Sequence, residues 1–232
     1  MNGSSNSLSH SLAMQVSPNV QLHFEVATEK HRSAIFEFMQ DVFRVQEPIT
    51  RSRGTTRQDA QEFFVDLTND GLKSGPVSYL VFDSAGLLIG YCLNEIAEVP
   101  ESGDPGEPPI YPSENATKIA QFCYDLSIDL YRLIAGSKRI MKIGVICVHP
   151  AYMLKGIGSK LLQLSIEMAK SRCCEYIATT ATALKSQKLF EKHNFDTLFQ
   201  LDYCNYRKDN EVVFTYLHDG AVCGKLMLLK LP

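Results

Sequence analysis

The sequence predicts an α/β fold, a mixed α+β sheet flanked by helices, and three patterns carry that expectation. The runs VSYLVFD and LLIGYCLNEIAEV, joined by Ser84-Ala85-Gly86, read as an antiparallel hairpin of residues 77–83 with 87–99. The wholly apolar strand KIGVICVHP, a glycine-rich turn, a helix over 156–171 and the strand EYIATTA make a βαβ-like unit. Around them lie segments whose apolar residues recur at helical spacing.

The elements follow in order. Residues 1–20 are rich in Ser and Asn and lack periodicity, so a disordered tail is expected there, with one domain over 21–232. Leu22, Phe24 and Val26 alternate as in a strand, and after Thr28 the residues Ala34, Ile35, Phe38, Met39 and Val42 share one helical face. Glu47-Pro48 closes that helix or follows it closely, because a residue before proline is pushed out of the helical region. Thr56 with Asp59 resembles a capping signal for a second helix, continued by Phe63, Phe64 and Leu67 toward Gly71. Residues 100–115 form an acidic, proline-rich loop, which fits a functional loop or an inert surface excursion. A helix from 115 to about 134 buries Ile119, Phe122, Cys123, Leu126 and Leu130. A helix over 184–193 and two or three strands to Leu231 close the chain, and no internal repeat is seen.

The 232 residues suit one domain, and 45% apolar with 9% aromatic residues is enough for a full core. A formal net charge of −3 argues against a surface built for nucleic acid or anionic lipid. The seven cysteines form no C-x-x-C pair, so free thiols and a reducing compartment are expected. No apolar run reaches membrane-span length, and the first residues lack the pattern of a signal peptide. The expectation is a cytoplasmic protein, monomeric or a weak homodimer, without nucleic-acid or membrane partners and without a metal.

The segment from Val148 to Leu162 carries the strongest chemical signal. A glycine-rich turn between an apolar strand and a helix aims several backbone N–H groups and the positive helix end at one spot, which suits a phosphate. Gly156 and Gly158 allow close approach, and Lys155 and Lys160 add charge. Tight packing at a helix start explains the two glycines equally well. The segment is not a Walker A motif, and Leu161 stands where the dinucleotide fingerprint needs its third glycine.

V-H-P-x-Y-x-x-K-G-I-G-x-x-L-L resembles motif A of the GCN5-related N-acetyltransferases (GNAT), and the resemblance spans residues 22–231. It implies a mostly antiparallel central sheet with a splayed parallel strand pair that binds acetyl-CoA. By the same resemblance Met153, Leu154, Lys155, Gly156, Ile157, Gly158, Ser159 and Lys160 would hold the CoA diphosphate, with Met153 where the family has Gln or Arg. The segment from Leu184 to Phe195 is similar to the family's later helix ending in L-Y-E-K-x-G-F. Phe190 stands where many members carry a tyrosine that protonates the thiolate, and it joins Ser186 among the residues expected at the cofactor. Within the family, Glu47-Pro48, the helical insert before KIGVICV, and the hydroxyls Thr182 and Ser186 resemble insect-type dopamine or arylalkylamine N-acetyltransferases. There the glutamate is the proposed base and the hydroxyls serve the thiol. His218 resembles a histidine by their amine pocket, although beside Asp219-Gly220 it also reads as a turn residue.

Chemistry gives independent grounds for these roles. An alkylammonium with a pKa of ~10.4 must lose a proton before its nitrogen attacks a thioester, so a carboxylate such as Glu47 is useful. Backbone N–H groups at Ile146, Cys147 and Val148 would bind the thioester oxygen. A thiolate leaving group, with a thiol pKa of ~8.5, needs modest help from Ser186 or Thr182, which equally suit helix capping. Phe43, Phe64, Phe122 and Tyr124 either wall an arylalkyl pocket or belong to the core. The expected function is acetyl transfer from acetyl-CoA to a small primary amine of the dopamine, tyramine, octopamine or serotonin type, directly within a ternary complex. Acetylation of a protein lysine, an N-terminus or a polyamine stays open, as does a silent CoA-binding module.

Overall fold

The computed structural model describes residues 13–17 and 20–232. Strand β1 (Ala13–Ser17) pairs antiparallel with β2 (Val20–Val26). This corrects the expectation of a disordered tail for those five residues: their A-M-Q-V-S alternation suits the open backbone edge that β2 presents. Residues 1–12 and 18–19 lie outside the described residues.

After a 3-10 turn at Glu29–His31, helix α1 (Arg32–Phe38) runs into a π-helical stretch at Met39–Phe43 and a last turn at Arg44–Gln46. Glu47 leaves the helical region at ψ 123, as the following proline requires, and caps the short helix α2 (Pro48–Ser52). Thr56 and Asp59 bond reciprocally, with Asp59 N donating to Thr56 Oγ1 and Thr56 N donating to Asp59 Oδ2, but they close the turn at 57–60 and do not cap the next helix, whose N-cap is Ala60 with no side-chain bond. Helix α3 (Gln61–Lys73) continues past Gly71 rather than stopping there. The hairpin is β3 (Tyr79–Phe82) with β4 (Leu88–Glu98). Then come α4 (Glu114–Ser127), a single turn at Leu130–Leu133, β5 (Arg139–Val148), α5 (Ile157–Ser171), β6 (Tyr176–Ala181) and α6 (Leu184–Lys192). Strand β7 (Asp196–Asp202), a small pair β8 (Arg207–Lys208) and β9 (Glu211–Val212), and β10 (Cys223–Lys230) complete the chain.

The main sheet has eight strands in the order β1-β2-β3-β4-β5-β6-β10-β7. All neighbours are antiparallel except β5 and β6. One face carries α1, α3 and α4 through Ile35, Phe38, Phe64, Phe122 and Leu126; the other carries α5 and α6 through Leu161, Leu162 and Phe190. A buried network pins α5 to the sheet, with Asn94 Nδ2 donating to Val77 O and Ser165 Oγ. All seven cysteines are free, as expected. Among the described residues no helix is long and apolar enough to cross a membrane.

Candidate active site

Strands β5 and β6 pair only from Ile140 with Tyr176 to Ile143 with Thr179. At that point β5 carries a bulge: Leu93 of β4 faces Val145 and Asn94 faces Ile143, so Gly144 has no partner. The extra residue flips the alternation. Ile143 joins the core under α5, whereas Val145 and Cys147 turn to the α3 and α4 side. Beyond the bulge, Ile146, Cys147 and Val148 remain paired to β4 but have no strand partner on the β6 side. Their backbone groups therefore border an opening.

The mouth of the opening is the turn into α5. His149 ends β5 and its Nδ1 accepts from Ala151 N at 3.3 Å, a structural role. Leu154 has φ 62 and is 97% exposed, and Gly156 has φ 80, a left-handed conformation that a β-branched side chain resists. No side chain caps α5. The N–H groups of Ile157, Gly158 and Ser159 thus face outward with the positive end of a 15-residue helix behind them. Lys155 lies over the Tyr152 ring at 5.2 Å, Met153 Sδ is 3.4 Å from Lys185 Nζ, and Lys160 is half-buried in the first turns of α5. An uncapped helix start preceded by a left-handed glycine fits the diphosphate of acetyl-CoA. Phe190, expected at the cofactor, is 1% exposed and packs against Phe195 with centroids 5.0 Å apart, so its ring belongs to the core.

Glu47 is buried, and four donors converge on its carboxylate. Oε2 accepts from Thr50 N at 2.7 Å and Thr50 Oγ1 at 2.5 Å; Oε1 accepts from Ile49 N at 3.3 Å and Thr182 Oγ1 at 2.8 Å. Burial raises its pKa above the ordinary carboxylate value, against the lowering effect of those donors. The neighbouring thiols of Cys123 and Cys147 are pushed up to about 12 by burial and bring no charge to it at neutral pH. Tyr203, whose pKa burial raises far above its usual value, donates its hydroxyl to Thr182 O at 2.7 Å. Asp219 Oδ2 accepts from Leu184 N at 2.8 Å and so caps α6 from 35 residues away. Tyr203 and Asp219 are positioning residues for the Thr182 segment that sequence reading missed, since no local pattern links them to it. Ser186 Oγ donates to Ala183 O at 2.8 Å, at the start of α6. His218 is exposed, and neither it nor Ser186 lines the cavity beside Glu47.

That cavity measures about 350 Å³ and reaches Gly144, Val145, Thr180 and Thr182 at the splay. Of the four aromatics proposed as walls, Phe43 and Tyr124 line it, while Phe64 and Phe122 are fully buried core. Phe63 and Tyr111 line it as well. The proline-rich loop is part of the wall: Pro109 faces the cavity, Tyr111 OH donates to Asp66 Oδ2 at 3.0 Å, and Tyr124 OH donates to Gly106 O at 2.6 Å. Asp66, Asp70 and Glu95 make one side acidic. Lys73 bridges Asp70 and Glu95, and Lys142 pairs with Glu95, which leaves Asp66 without a cation among the described residues.

Comparison with known proteins agrees with this geometry. Arylalkylamine N-acetyltransferase 2 from Aedes aegypti superposes with a TM-score of 0.75 at 22% identity, covering 91% of this chain and 99% of that one. A putative arylalkylamine N-acetyltransferase 7 from the same mosquito gives 0.79 at 17%, covering 94% and 92%. The Drosophila melanogaster polyamine N-acetyltransferase that forms N-acetylagmatine gives 0.76 at 12%, covering 90% and 100%. At these identities the likeness establishes the fold. The model of the acetyltransferase (GNAT) family matches residues 36–195, well over half of the chain, and the protein belongs to that family of acetyltransferases.

Proposed function

We propose that the protein acetylates a small primary amine, an arylalkylamine, directly from acetyl-CoA. The single observation that supports this most is the buried Glu47 carboxylate, set in an aromatic-walled cavity that meets the splay at Gly144 and Val145. Acetyl-CoA, when bound, supplies a thioester carbon open to attack by a neutral amine. Glu47 takes the ammonium proton, directly or through a water, and frees the nitrogen lone pair. The N–H groups of Ile146 and Val148, which point away from β4, face the developing oxyanion. Phe43, Phe63, Tyr111 and Tyr124 hold the aryl group, and their ring faces favour a cation before it is deprotonated. As the C–N bond forms and the C–S bond breaks, Ser186 serves the departing thiolate by turning its hydroxyl away from Ala183 O, since the Thr182 hydroxyl is committed to Glu47.

A second reading, a polyamine acceptor, is favoured by Asp66, which faces the cavity, has no cationic partner among the described residues and would accept a second ammonium. Turnover on tyramine, dopamine, serotonin, spermidine and a histone peptide separates the readings. Highest kcat/KM on the aryl amines supports the first, and highest on spermidine supports the second. A preference for the peptide, or no turnover at all, overturns both.

A further inference from the structure

Helix α6 crosses the start of α5 along one stripe. Lys185 Nζ lies 3.4 Å from Met153 Sδ, a Cβ on Gly158 would stand 3.4 Å from Leu189 Cδ2, and His193 Nε2 is 3.1 Å from Ser159 Oγ. Residues 185, 189 and 193 recur every four positions and so share a face. The two inner contacts fix the register of that face against α5. The Asp219 cap on Leu184 N fixes its beginning, so the backbone of Lys185 is set beside the glycine-rich turn.

Two features make this placement chemically pointed. Met153 stands where relatives of this family carry Gln or Arg, leaving the turn short of one polar side chain. Lys155, the cation inside the turn, is drawn onto the Tyr152 ring. Among the described residues Lys185 makes no ion pair, and a thioether holds an ammonium only weakly, so its charge is available to an incoming anion.

We propose that Lys185 supplies, from α6, the cation that grips the CoA diphosphate at the place left apolar by Met153. The proposal rests on the family's use of this turn for CoA. It assigns the role to a residue outside the turn, with the diphosphate as the group recognised. The Nζ group offers three donors and a full charge, while the uncapped amides of Ile157 to Ser159 offer direction.

Calorimetric titration with CoA and with 3′-dephospho-CoA tests this without relying on turnover. Lys185→Ala should raise both dissociation constants about tenfold, roughly 1.4 kcal/mol, and Lys185→Glu should raise them further. Lys170→Ala, at the far end of α5, removes the same charge and should change neither. Met153→Arg in the Lys185→Ala background should recover most of the lost affinity. An unchanged Kd in Lys185→Ala overturns the proposal. So does a loss seen with CoA but absent with 3′-dephospho-CoA, which would move the contact to the 3′-phosphate. If the wild-type protein binds no CoA, the cofactor reading itself falls and takes the proposal with it.

Discussion

Thr182 Oγ1 donates to Glu47 Oε1 at 2.8 Å across 135 residues of sequence, tying the end of β6 to the cap of α2. Glu47 is thus both a helix cap and a candidate base. Glu47→Gln should lower kcat/KM for the amine by about 10²–10⁴-fold while leaving CoA affinity near wild type. Because burial raises its pKa, activity should rise with pH through a limb above the ordinary carboxylate range. The deficit of the variant should shrink at high pH, where more amine arrives deprotonated. Glutamine must also turn its amide nitrogen toward two donors, so a stability loss of about 1–2 kcal/mol is expected in urea. Full activity across the pH range would reduce Glu47 to a cap.

Thr182→Val and Ser186→Ala should fail differently. Losing the Thr182 hydroxyl removes a donor that favours the ionised carboxylate, so the acid limb of kcat/KM should move to higher pH. Ser186→Ala should lower kcat without moving that limb. Identical pH profiles for the two variants would contradict the division of roles.

Gly156→Val should weaken CoA binding about tenfold or more, roughly 1.4 kcal/mol, since a β-branched residue resists φ 80 and crowds the phosphate. Titration calorimetry reads the effect. Retained affinity would show that the diphosphate does not lie on this turn.

Asn94→Leu should cost about 2–3 kcal/mol in urea unfolding, because Val77 O and Ser165 Oγ lose a buried donor. The midpoint should fall with little change in slope. A neutral result would mean that the network is rebuilt by water.

The parts of this fold that could be read from sequence are those written locally. The period-2 hairpin, the reciprocal Thr56 and Asp59 pair and the glycine turn before α5 each occupy a few neighbouring residues. The bulge at Gly144 was not legible, because it exists only in the register between β4 and β5. Tyr203 and Asp219 act on residues 21 and 35 positions away, and no periodicity signals such contacts. Phe43 and Phe64 lie on similar helical patterns, yet one lines the cavity and the other is sealed in the core. The tertiary packing of α1 against α3 decides between them. Strand β1 escaped notice because its polar surroundings hide a short alternation that gains meaning only beside β2.

Strand β10, translated after the other strands of the sheet, is inserted between β6 and β7. Until it leaves the ribosome, β7 has nothing to pair with, and β6 has an open edge facing solvent. Leu226 of that strand also forms part of the cavity wall. A nascent chain that has already made Glu47, Thr182 and the glycine turn therefore still lacks a closed acceptor cavity. Activity should appear abruptly once β10 has emerged, and ribosome-stalled chains ending before residue 223 should be inactive and sensitive to protease.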